Sequence, residues 1–223
     1  MTKAQISTNV NQRERLNRLY RFQRHFYDLT RRFFLFGRNQ MLEQMDISDG
    51  DRVLEIGCGT GRNLVFLAKR YPQVKFFGLD ASDQMLKTAA AKFDAKDMQK
   101  TIVLRQGLAE HFDAKKGFAL DDFFDVVFFS YTLSMIPDWR AAIDAAIANL
   151  KPEGSLYVLD FGDGRGLPGW FYRLLTAWLG LFAVRPPLEL LDYLDGLARA
   201  EKGLLRCFPV LRHYAFIAEF RRF

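Results

Sequence analysis

An acid followed by three alternating glycines is the densest chemical signal in this chain. Residues 53–61 run through an aliphatic stretch with Glu55 inside it and then into Gly57, Gly59 and Gly61. An apolar strand that breaks into glycines is a strand turning into a helix around a ligand. The glycines permit a tight turn, and without Cβ atoms they let a nucleotide-like molecule lie against the backbone and the amides of the following helix. A second short apolar run, residues 74–79, ends in Asp80, where the next strand of a βαβ unit would present a carboxylate to ribose hydroxyls.

A dinucleotide-binding turn would need its third glycine at position 62, and Arg62 stands there, which weakens a pyrophosphate reading. The pattern of Glu55, Gly57, Gly59 and Gly61 with the trailing Asp80 resembles the class I S-adenosylmethionine-dependent methyltransferases. That resemblance implies S-adenosyl-L-methionine as cofactor, its amino-acid end against the glycine loop and its ribose on Asp80. By position, Ser82, Met85 and Leu108 would flank the adenine, and Ala81, Ala109 and Ser130 are further expected cofactor contacts. The family often has an acid where Leu108 stands, so the adenine amino group would fall to a backbone carbonyl or to Glu110.

Methyl transfer to an amine is an in-line displacement that needs a positioned lone pair more than a protein nucleophile. Aromatic faces can hold the methylated ammonium product. Tyr20, Tyr27 and Tyr131 are the catalytic candidates, with Ser130 and Ser134 beside the transferable methyl as the family resemblance implies. The same tyrosines would equally cap an aromatic core. His25 sits in an arginine-dense helix and reads as a solvated residue. His111 and His213 lack ligand spacing, and no metal site is expected.

The elements that must position these groups alternate. Strands are expected at 51–56, 74–79, 101–105, 124–130 and 154–160, helices at 60–70, 82–93 and 138–150. Helices at 168–184 and 187–200 and two closing strands, 203–208 and 212–221, complete the pattern. Strands separated by helices imply an α/β, Rossmann-like fold with a mostly parallel seven-stranded sheet and helices on both faces. Apolar spacing over 11–45, broken at Gly37, adds two leading helices. The expected division is a basic aromatic helical extension, 1–46, serving as lid and membrane contact. The methyltransferase core, 47–223, comes next, with an amphipathic insertion at 164–200.

The formal charge of +6 is concentrated at the amino end, where residues 1–40 carry Lys3 and eight arginines against Glu14 and Asp28. Such a block favours a polyanionic surface, either nucleic acid or an anionic leaflet. Two cysteines, Cys58 and Cys207, do not make a disulfide scaffold and fit a reducing cytoplasm. The absence of a charged-then-apolar leader argues against a secretory signal. The uncharged apolar run 174–184 is shorter than the roughly 20 residues a bilayer span needs. Within 168–184, Trp170, Phe171, Leu174, Leu175, Trp178, Leu181 and Phe182 form one broad face. That face suits a membrane interface, an acyl channel or packing on the sheet.

Four segments are similar to a narrower group, the bacterial enzymes that methylate diacylglycerylhomoserine in betaine-lipid synthesis. They are 25–31 with 34–38, 130–139, 160–163, and 212–216. The resemblance implies three successive N-methylations of an aminolipid, at the inner face of the cytoplasmic membrane by a peripheral cytoplasmic protein. Arg31, Arg38 or Arg165 would take the headgroup carboxylate. Related phosphatidylethanolamine methyltransferases share parts of these segments and are the alternative. A nucleic-acid methyltransferase is disfavoured because Phe129-Ser130-Tyr131-Thr132 lacks the Asn/Asp-Pro-Pro-aromatic grip on a flipped base. A non-enzymatic S-adenosylmethionine-binding protein is the remaining class.

Overall fold

The computed structural model describes residues 35–182, 184–200 and 202–223. Its seven strands are β1 (Arg52–Ile56), β2 (Lys75–Asp80), β3 (Ile102–Gln106), β4 (Phe124–Ser130), β5 (Leu150–Phe161), β6 (Gly203–Val210) and β7 (Ala215–Arg222). They form one sheet in the order β3-β2-β1-β4-β5-β7-β6. The first five run parallel, and β7 is antiparallel to both β5 and β6. The chain moves outward from β1 to β3 and then returns to the other side of β1 with β4. The carboxyl ends of β1 and β4 therefore diverge at a topological switch point, where open α/β sheets bind ligands.

Both faces of the sheet are covered, and this shows why the centre of β4, residues 126–129, is continuously apolar. Val126 and Phe128 enter one core, while Val127 and Phe129 enter the other. Successive strand side chains point to opposite faces, so a strand covered on both sides has no polar position to spare. One face is packed by α1 (Arg38–Gln44), α2 (Arg62–Arg70), α3 (Asp83–Asp94) and α6 (Gly169–Leu181). The other carries α4 (Ala114–Phe118), α5 (Trp139–Ala148) and α7 (Leu190–Arg199). Helix starts obey the local chemistry: Ser82 and Asp138 cap α3 and α5 by accepting from the amides of Met85 and Ala141.

The expected strands and long helices are present with shifted ends, and two features differ. Between β3 and β4 lie a 3-10 turn (Ala109–His111) and α4, where the sequence suggests only a connection. Five residues make too short a helix to show a periodicity; α4 exists because Asp113 accepts from Lys116 N and Asn149 Oδ1 accepts from Ala114 N. At the amino end, most of the expected extension, including both helices' residues before Leu35, lies outside the described residues. Its described end does not stand apart: Met41, Leu42 and Met45 are buried in the same core as β1. The break expected at Gly37 is the N-cap of α1, at φ 79°.

Gly61, the N-cap of α2, has φ 69°, and a Cβ there would lie 2.3 Å from Phe93 Cζ on α3. Gly61→Ala combines left-handed strain with overpacking and should destabilise the fold by about 2 kcal/mol or more in urea unfolding. Unchanged stability would show that α2 and α3 can part there freely.

Candidate active site

The glycine loop hangs from the end of β2. The amides of Gly57 and Cys58 both donate to Leu79 O, at 2.7 and 3.1 Å. Gly57, Gly59 and Gly61 have φ of 72°, 54° and 69°, a run that residues with a Cβ adopt only under strain. A Cβ on Gly57 would sit 2.2 Å from Thr132 Cγ2, so the loop after β4 comes within reach of the glycine loop only because nothing projects there. Asp80 closes the arrangement: its Oδ2 accepts from Gly59 N and its Oδ1 from Ser82 N, each at 2.8 Å. A carboxylate offers about four acceptor positions, so ribose hydroxyls can join the two amides.

Two cavities meet at Gly57. The first encloses about 660 Å³ including its open mouth, and is lined by Gly57, Gly59, Asp80, Ala81, Met85, Leu108, Ala109 and Glu110. Thr132, Met135 and Ile136 form its opposite wall. Its mostly apolar lining with two carboxylate residues, Asp80 and Glu110, suits a nucleoside. The second is bordered by Leu35, Arg38, Glu55, Gly57, Arg62, Asn63 and Ser130. Glu55 is 2% exposed and its Oε1 accepts from Asn63 Nδ2 at 2.7 Å. A nucleoside half and a half bordered by an acid, an amide and two arginines fit a cofactor that joins adenosine to a zwitterionic amino acid.

Of the cofactor residues expected from the sequence, Gly57, Gly59, Asp80, Ala81, Met85, Leu108 and Ala109 line the first cavity, and Glu55 and Ser130 the second. Gly61 lines neither and acts at the start of α2. Arg62 and Asn63 on the amino-acid side are additions that glycine spacing could not reveal, although their place in the first turn after the loop was a clue. Thr132, Met135 and Ile136 are likewise additions, since their reach depends on the turn after β4.

Tyr131 does not point a hydroxyl into the cleft. It is 2% exposed, lines neither cavity, and its hydroxyl donates to Phe36 O at 2.6 Å. Its φ of 55° turns the side chain away from the switch point, onto Phe161 with ring centroids 4.7 Å apart. Burial pushes its phenol well above the ordinary range. Its observed work is to hold the chain entering α1. Ser134 is buried, and its amide donates to Asp160 Oδ2 at 3.0 Å. Tyr20, Tyr27 and His25 lie outside the described residues. Among the described residues, no group of three His, Cys, Asp or Glu side chains could hold a metal ion.

The sheet order, the glycine loop with its trailing acid and the bipartite cleft are the architecture of the class I methyltransferase fold, and the cleft fits S-adenosylmethionine as cofactor. Residues 53–154 match a family model described as a methyltransferase domain. Among curated relatives, a protein named demethylmenaquinone methyltransferase from Lactobacillus johnsonii is 32% identical over 124 residues, 55% of this chain and 49% of that protein. One of the same name from Listeria monocytogenes is 25% identical over 186 residues, covering 80% of this chain and 75% of the relative. The chain thus spans about half the length of the first and three quarters of the second. In fold it is similar to an O-methyltransferase family protein from Burkholderia thailandensis (TM-score 0.69, 18% identity, 88% of this chain and 58% of that one). It is also similar to an S-adenosylmethionine-dependent methyltransferase from Aquifex aeolicus (TM-score 0.63, 18% identity, 86% and 93%).

Asp80→Asn puts an NH2 group against an amide that now donates to a charged oxygen. The Kd for S-adenosylmethionine should rise by on the order of tenfold or more in calorimetry, with a folded circular dichroism spectrum. Equal affinity would remove Asp80 from the cofactor site.

Asp160 generates a pH dependence. It is fully buried, and burial raises its carboxyl from 3.8 to about 6 despite the lowering effect of the Phe161 and Ser134 amides. A raised carboxyl pKa means that the folded state holds its proton longer than the unfolded chain does. This group's contribution is therefore complete below pH 3.8 and lost as pH rises through about 6. The loss is about 3 kcal/mol. In denaturant titrations across that window, Asp160→Asn should flatten the slope by this amount. The slope is the readout, because an amide cannot accept from both Ser134 and Phe161. An unaltered slope would refute the assignment.

Proposed function

We propose that the chain transfers methyl groups from S-adenosylmethionine to the amine of an acyl-chain lipid whose headgroup carries a carboxylate, diacylglycerylhomoserine, in three successive steps. The observation that carries this reading is that two arginines, Arg38 and Arg62, border the second cavity beside Leu35 and Ser130. One cation serves the carboxylate of the cofactor's methionine moiety. The other serves an acceptor carboxylate, and Leu35 begins an apolar wall for the glyceryl and acyl parts beyond the headgroup. Arginine is the apt residue at such a place, since its fork pairs with a carboxylate through two parallel hydrogen bonds.

Bound S-adenosylmethionine supplies a methyl already activated by its sulfonium. The chain's part is then to align and to exclude water. Glu55, held by Asn63, offers its carboxylate to the ammonium of the methionine moiety, and Arg38 fixes the headgroup so that the amine nitrogen faces the methyl. Tyr20 and Tyr27 remain part of the proposal as aromatic walls for the increasingly methylated nitrogen. Tyr131 contributes by holding the Phe36 carbonyl and with it the approach to Arg38.

The second reading comes from the relatives' names. A demethylmenaquinone acceptor would be methylated on a ring carbon and would bring no carboxylate to the second guanidinium. Mass spectrometry of purified protein with diacylglycerylhomoserine, phosphatidylethanolamine and reduced demethylmenaquinone separates the readings. The expected outcome is mono-, di- and trimethyl products from the first acceptor, with Arg38→Gln lowering kcat/KM for it by about tenfold or more. Turnover of the quinone alone would replace the aminolipid reading with the quinone one, and phosphatidylethanolamine alone would move the substrate to a phosphodiester headgroup.

A further inference from the structure

The apolar face of α6 is not single. Leu175 and Leu179 are buried, and Phe171, Tyr172, Trp178 and Phe182 pack against the same core. Trp170, Leu174 and Leu181, by contrast, are 65%, 63% and 76% exposed. At a helical turn of about 100° per residue, positions 170, 174, 177 and 181 fall within about 60° of one another. They form an outer stripe of Trp, Leu, Ala and Leu roughly 17 Å long. Arg173 borders that stripe on the side away from the core. From 164 to 188 the chain carries Arg165, Arg173 and Arg185 and no acidic residue. Arg165 is paired with Asp163, which leaves Arg173 and Arg185 as the other exposed cations of this segment. An exposed apolar stripe with cations on the same segment is complementary to an anionic apolar surface.

Helix α6 is tied at its start to the end of β5 and, past its end, to the turn that walls the first cavity. At its start, Tyr172 Oη donates to Gly162 O at the end of β5, and the Tyr172 ring occupies the space a Cβ on Gly164 would need. Past its end, Arg185 N donates to Ser134 O at 2.7 Å, in the turn whose neighbours Met135 and Ile136 line the first cavity. A surface that takes up the outer stripe is thereby brought to the carboxyl ends of β4 and β5.

We infer that the outer stripe of α6, Trp170, Leu174 and Leu181 with Arg173 and Arg185 at its margins, is a docking surface for the anionic face of a lipid bilayer. It seats the methyl-transfer cleft at the bilayer surface. The inference rests on the lipid-acceptor reading for its purpose and on the exposed stripe for its existence. Trp170 takes the interfacial depth where indole is favoured, and the leucines enter the acyl boundary beside it.

The test is flotation of the full chain with vesicles of phosphatidylcholine alone or mixed with phosphatidylglycerol. Binding should require the anionic lipid and weaken with salt. Trp170→Ala/Leu174→Ala/Leu181→Ala should lower partitioning by on the order of a hundredfold. Arg173→Gln/Arg185→Gln should lower it by about tenfold or more. Both variants should keep the cofactor affinity of the parent protein, which shows that the core is intact. Brominated lipid should quench tryptophan emission in the parent protein and much less in Trp170→Phe, whose binding persists. Undiminished binding of the triple variant, or equal quenching in Trp170→Phe, overturns the assignment. So does failure to bind anionic vesicles, which would leave the stripe to a protein partner or to the chain's own amino-terminal segment. These results are independent of which acceptor is methylated: vesicle binding without aminolipid turnover would refute the substrate reading alone.

Discussion

The cleft depends on one carboxylate. Asp80 stands at the end of β2 and receives the amides of Gly59 from the loop after β1 and of Ser82 from the cap of α3. Two adjacent strand-to-helix turns are thus held at a fixed separation by a charge accepting two hydrogen bonds in a nearly dry setting. Hydrogen bonds to charged groups contribute about 1.5–3 kcal/mol each, more than neutral ones. The positive φ of the three loop glycines is a conformational cost of this arrangement, and the contacts with Asp80 and Leu79 O offset it. The group that organises the glycine loop is also the one placed to meet the ribose. The loop's structure and the expected ribose contact therefore fall to the same side chain.

A second set of contacts shapes the side of the second cavity. Tyr131, Phe161, Tyr214 and Phe36 form a chain of ring contacts across the ends of β4, β5 and β7. The hydroxyl of Tyr131 anchors the Phe36 carbonyl, and Gly37 comes next with a positive φ against Val210 and Leu159. This fixes where the backbone enters α1, and so brings Leu35 and Arg38 to the second cavity. Asp160 acts in parallel, buried beneath the 133–136 turn and accepting the amide of Ser134. The cleft walls are held from behind by buried groups that do not line it.

The matched family segment, residues 53–154, contains the glycine loop, Asp80 and the wall after β4. Leu35 and Arg38 precede it, and α6 lies beyond it. Likeness over that segment speaks for the cofactor, which all such enzymes share. Leu35 and Arg38, proposed for the acceptor, lie outside it, so that likeness bears on the cofactor side and not on them.

The glycine loop and Asp80 were legible in the sequence because backbone approach and ribose binding demand particular residue types at a particular spacing. The order of strands and helices was legible as well, since burial on both faces makes the centre of β4 continuously apolar and the caps Ser82 and Asp138 mark helix starts. The sequence therefore determined the fold class and the cofactor. It did not determine which way Tyr131 turns, that Arg62 and Asn63 join Glu55, or which half of α6 stays outside. Those depend on pairs remote along the chain: Tyr131 with Phe36, Gly57 with Thr132, and Leu175 and Leu179 with the core beneath them. Periodicity records that a helix has apolar residues on several sides. Only the sheet it packs on decides which of them are buried, because burial is a property of the surface a side chain meets.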